Sequence, residues 1–192
     1  MKEMKETDLK GKPSQTGRTV RVSYPDSGFS FTMTRCKDAL ELRDQVVRRC
    51  RYAKGAWLKS KNAEGAPEGF CYTEESATLP GVVKEAAPKG SLVEIAIFVT
   101  GGENERMVWY HEIGHAAEHA AEALPKLAKS EGYTVNRAQC REFLACVNEL
   151  LCEQANVITG LVPAGEASGS GLLYTIPWSP DYDTEFSKGV RK

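Results

Sequence analysis

His111-Glu112-Ile113-Gly114-His115, continued by Ala116-Ala117-Glu118-His119, is the stretch on which the reading of this chain turns. It holds all three histidines of a 192-residue sequence. On a helix, residues four apart share a face, and His111 and His115 stand about 6 Å apart along the axis. Two imidazoles so placed can converge on one ion. Zinc accepts neutral histidine nitrogens at about 2.0–2.1 Å in tetrahedral geometry, so the pair is a candidate for two of its ligands. Glu112, beside the first histidine, is then placed to take a proton from a water that the metal has made acidic. That is why His-Glu-x-x-His needs those residues at that spacing. The plainer alternative is a surface helix with incidental histidines, and the clustering of every histidine in one segment argues against it.

Working outward, the spacing predicts a helix that starts near residue 100 and ends near Leu124. Thr100 and Glu103 have capping-box spacing, and Asn104 is the alternative cap. Pro125 disfavours helical geometry in the residue before it. Ile113, Ala117, Ala120 and Leu124 form the core stripe. Upstream, residues 92–99 are an apolar run of strand length, closed by Gly101-Gly102. Residues 18–24 and 29–34 alternate around Pro25-Asp26-Ser27-Gly28, which predicts a hairpin. Residues 38–51 have helical spacing through Leu42, Val46, Val47 and Cys50; residues 59–69 read as a loop and 70–73 as a short strand. Downstream, a second helix is expected from Asn136, with Gln139 three residues on, to Gly160. Its apolar face is Phe143, Val147, Leu150, Leu151, Val157 and Ile158. A Gly-Ser-rich stretch at 165–171 and an aromatic-proline segment from Tyr174 to Tyr182 follow. The expected class is α+β, a small, mostly antiparallel sheet packed on the histidine-bearing helix and the second helix. One domain is expected over residues 18–180, between a leader at 1–17 and a tail at 181–192.

Two histidines are half a metal site. His119 is tempting, but on a continuous helix it lies roughly 12 Å from His111 along the axis. Ala116-Ala117-Glu118 favours continuation, so His119 reads as a rim residue or the partner of a carboxylate. The second helix offers Glu149 and Glu153, four apart on one face, with Glu142 two turns earlier. Of two such carboxylates one can bind metal while the other accepts the N–H of a ligand histidine and fixes its tautomer. The residues alone leave open which does which.

The His-Glu-Ile-Gly-His stretch followed by Asn148-Glu149-Leu150-Leu151-Cys152-Glu153 resembles the gluzincin pattern, whose second helix carries Asn-Glu-x-x-x-Asp/Glu. The resemblance implies that Glu149 is the third ligand and that Glu153 orients His111. Residues 108–163 also resemble the zincin domains of ArdC-type antirestriction proteins and ImmA/IrrE-type regulators. Residues 149–153 sit where ArdC-like proteins have Glu-Leu-x-Ala-Glu. Glu153-Gln154-Ala155-Asn156 and the run to Pro163 echo the Glu-Ala-Asn…Leu-x-Pro of the regulators. What this implies is a zincin-like fold, one Zn2+ per chain, and an intracellular metallopeptidase with Glu112 as general base. It also implies an edge strand beside the cleft that pairs with an extended peptide or protein substrate. Tyr174, Tyr182, Tyr133 and His119 are candidates to stabilise an oxyanion. The rival expectation is a zincin-scaffold binding or antirestriction-like protein with non-essential or no peptidase activity. Hydrolysis of a non-peptide bond is a third.

Charge narrows the partners. Lys+Arg is 25 and Asp+Glu 26, for a formal net charge of -1. That gives no electrostatic case for non-specific binding to nucleic acid or anionic membranes. Arg48, Arg49, Arg51, Lys54, Lys59 and Lys61 are the one basic run in favour of a nucleic-acid partner, and read as a solvated helix end and loop. No apolar run has membrane-spanning length, and the charged N-terminus lacks a secretory apolar segment. Six cysteines without a Cys-x-x-Cys pair suit free thiols in a reducing, cytoplasmic compartment. Cys140, Cys146 and Cys152 are expected to fill space along the second helix. Substrate identity and oligomeric state are not set by the sequence.

Overall fold

Alternation along the strands builds the core. Val20, Val22, Phe29, Phe31, Met33, Ile95, Ile97 and Val99 all turn to one face and pack with apolar residues of two long helices. Tyr72, Phe98 and Cys36 are buried on the other face with Leu42 and Val46 of a shorter helix. The result is a layer of one helix, a sheet, and a layer of two helices, an α+β arrangement. The computed structural model describes residues 17–23, 28–73, 90–132, 134–162 and 173–175. Its elements are β1 (Gly17–Ser23), β2 (Gly28–Cys36), α1 (Ala39–Arg49), a 3-10 turn (Ala56–Lys59), β3 (Gly69–Thr73), β4 (Leu92–Thr100), α2 (Glu105–Ser130), α3 (Arg137–Ile158) and the three-residue β5 (Leu173–Thr175). The sheet order is β3-β4-β2-β1-β5. Among the described residues no helix is long and apolar enough to cross a membrane.

The expected hairpin is β1 and β2, antiparallel from Gly17↔Thr34 to Ser23↔Gly28. Its turn, the proposed leader through residue 16 and the chain after 175 lie outside the described residues. The expectation of a mostly antiparallel sheet is corrected. β3 and β4 are antiparallel, but β2 and β4 run parallel, as do β1 and β5. After α1 the chain enters β3 antiparallel to β2, and the reversal of direction from β3 to β4 then brings β4 back parallel to β2.

α2 corrects two further expectations. It passes through Pro125 and ends at Ser130. A proline inside a helix costs about 3 kcal/mol. Beside it Leu124 and Leu127 are buried, and each such leucine is worth roughly 1.5–3 kcal/mol, so packing offsets the break. At its start there is no capping box. Thr100 closes β4 and its hydroxyl donates to the Glu68 carbonyl at 3.0 Å, while Asn104 caps without a side-chain bond. α3 follows its sequence signals. The Asn136 side chain accepts from Gln139 N–H at 3.0 Å and Gln139 accepts from Asn136 N–H at 2.7 Å. At the other end Leu161 N–H reaches the Asn156 carbonyl and Gly160 N–H the Val157 carbonyl, a Schellman closure with Gly160 at φ 78°. None of the six cysteines is in a disulfide, and Cys146 is exposed rather than space-filling, because it lies on the solvent side of α3.

Candidate metal centre

The first turn of α2 is tied to the sheet. Arg35, near the end of β2, donates through Nε and Nη2 to the two oxygens of Glu105, each at 2.7 Å. Buried Trp109 adds its indole N–H to the same carboxylate at 3.2 Å. A carboxylate in a first turn is also favoured by the helix dipole. With Ile113, Ala116, Ala117 and Ala120 buried toward the sheet, the rotation of α2 is set and both site histidines face outward.

His111 and His115 are exposed, and their Nε2 atoms stand 3.2 Å apart with the rings at 85° to each other. Two nitrogens on a tetrahedral zinc at 2.0–2.1 Å are about 3.3 Å apart, so the pair fits two ligand positions. On His115, Nδ1 lies 3.9 Å from the Glu118 carboxylate, leaving Nε2 to face its neighbour.

Glu112 turns the other way and is only 7 % exposed. It lies against β3, where the Cys71 backbone N–H donates to its carboxylate. Burial pushes the Glu112 carboxyl above its usual range; His111, His115 and the Cys71 N–H pull it back. Gly69 makes the close approach geometrically feasible. A Cβ there would fall 2.5 Å from Val108 Cγ1, 2.6 Å from Glu112 Cγ and 2.9 Å from Glu112 Oε1. Burial first, then the Glu112 charge, holds the Cys71 thiol protonated, which argues against it as a thiolate ligand. Among the described residues β3 is the outer strand on this side of the sheet, and it is the strand beside Glu112.

The other sequence candidates are not gathered here. Among the described residues no group of three or more His, Cys, Asp or Glu side chains is close enough to hold a metal ion. Glu149 (exposed) and Glu153 (half-buried) therefore stand on α3 without joining the histidine pair. His119 lies two turns along an unbroken helix from His111. Tyr174 pairs in the backbone with Val22 at the opposite edge of the sheet, four strand spacings or roughly 19 Å from β3. Tyr133 and Tyr182 lie outside the described residues.

Gly69, Cys71, Arg35 and Glu105 escaped the sequence reading. The one signal was a glycine at the start of the short strand, and only tertiary contact shows what it makes room for. A further link, Arg106 Nε to Tyr110 OH at 2.9 Å and Tyr110 OH to Asn156 Oδ1 at 3.3 Å, joins α2 to α3 beside His111. No protein family, curated protein or solved structure matches the chain.

Proposed function

We propose that the chain is a zinc-dependent metallopeptidase in which His111, His115 and Glu149 hold one zinc ion and Glu112 is the general base. The observation that carries it is the 3.2 Å Nε2 pair on the helix turn that also holds buried Glu112. Catalytic zinc sites take three protein ligands and leave a fourth position open. We assign the third to Glu149, whose exposed carboxylate is carried by the helix packed on α2; Glu153 is the alternative ligand and otherwise orients His111. Bound there, zinc would polarise a carbonyl oxygen and lower the pKa of water towards about 7.

The protein side of the chemistry follows from the geometry. The Cys71 N–H fixes the Glu112 carboxylate but uses one lone pair of several, so the group can still accept a proton and pass it to a leaving amine. β3, the outer strand among the described residues, would hold an extended peptide alongside the base through strand addition at the edge groups that Glu112 does not occupy. The test is Glu112→Gln. Peptide hydrolysis should fall by about 10²- to 10⁴-fold while zinc content stays that of the wild type. Undiminished hydrolysis would remove Glu112 from the role.

One observation favours a second reading, a scaffold that binds a partner without hydrolysing it: no third donor joins the histidine pair among the described residues. In that case Glu112→Gln leaves the biological effect intact and no zinc is retained.

A further inference from the structure

The most unusual buried groups are not part of the histidine pair. Arg18 on β1 is 6 % exposed, and its Nε and Nη1 have no hydrogen-bond partner among the described residues. Gln154 on α3 is 2 % exposed and its Nε2 is likewise unpartnered. Buried donors are nearly always paired, and leaving those of a buried guanidinium without acceptors is costly.

The two residues sit at the same end of one interface. Arg18 shares the helix-covered face of β1 with Val20 and Val22 by strict alternation, and α3 packs on β1. At one end of that interface Phe143 packs at a tilt against Phe29, which pairs with Val22. From Val22 back to Arg18 is about 13 Å along a strand. From Phe143 to Gln154 is about 16 Å along a helix. The Tyr110–Asn156 contact places the end of α3 beside the start of α2, which Arg35 pins to the same end of the sheet. The fold thus brings two orphaned donors, one of them charged, to one buried level.

The neighbouring backbone does not supply the acceptor. In the last turn of α3 the Ala155, Asn156 and Val157 carbonyls already accept from Thr159, Gly160, Leu161 or Val162. We propose that Arg18 and Gln154 form a binding site for a small oxyanion, a carboxylate or a phosphate, between β1 and α3. It is separate from the histidine pair and does not depend on zinc.

The test is a thermal melt of the full chain, dialysed into chloride and titrated with millimolar acetate or inorganic phosphate at constant ionic strength. The wild type should show a midpoint that rises with the logarithm of anion concentration, by roughly 5–10 °C at a hundredfold excess over Kd. Arg18→Met should show none, and Gln154→Leu a rise that needs several-fold more anion. Should Arg18→Met not fold, Gln154→Leu alone carries the comparison. A wild-type midpoint indifferent to both anions, or an equal rise in the substituted chains, overturns the proposal.

Discussion

Gly69 is where a single atom decides the most. It lets β3 come against α2 closely enough for Cys71 to hold Glu112, and the nearest obstacle to a side chain there is the stiff, β-branched Val108. Gly69→Ala should cost about 1–3 kcal/mol in stability through overpacking. Under the proposed function it should also move Glu112, lowering peptide hydrolysis about 10²-fold with zinc content unchanged. Measuring turnover and metal content on the same sample checks this, and wild-type turnover would show that the strand gives way without moving Glu112. At this scale the sequence was legible in part. His111, Glu112 and His115 could be read because a helix converts spacing into direction. Gly69 and Cys71 could not, because their role depends on a strand some forty residues earlier in the chain that meets the helix only in the folded state.

Elements were more legible than their limits. α3 was readable at both ends because its signals are local: Asn136 with Gln139 at the start and Gly160 at the close. Asn136→Ala should destabilise the chain by about 1 kcal/mol, seen as a lower denaturant midpoint with an unchanged slope. No change would mean that packing alone sets the start of α3. α2 begins at the alternative cap, Asn104, and runs past the expected end at Leu124, for one reason. Its start is fixed by Arg35 and Glu105 and its passage through Pro125 by buried Leu124 and Leu127, all of them tertiary contacts. Local rules for caps and proline describe a helix in isolation, and here packing outweighs them.

For the whole molecule, the α+β class followed from counting strands and helices, but strand direction did not. The parallel pairing of β2 with β4 arises because α1 leads into β3, antiparallel to β2, before the chain reverses into β4, an order that alternation within either strand cannot encode. The same topology puts β3 at the edge beside Glu112 and β5 at the other, separating Tyr174 from the histidine pair. It also stacks α3 on α2, so that a carboxylate from one helix is asked to complete a site begun on the other. That completion is the central claim. The direct measurement is zinc content and affinity for the wild type, His115→Ala and Glu149→Ala, each prepared without chelators and equilibrated with zinc. The account predicts about one zinc per wild-type chain, loss of it in His115→Ala, and an affinity at least tenfold weaker in Glu149→Ala. A wild-type chain that binds no zinc, or a His115→Ala chain that binds it as tightly, would contradict it.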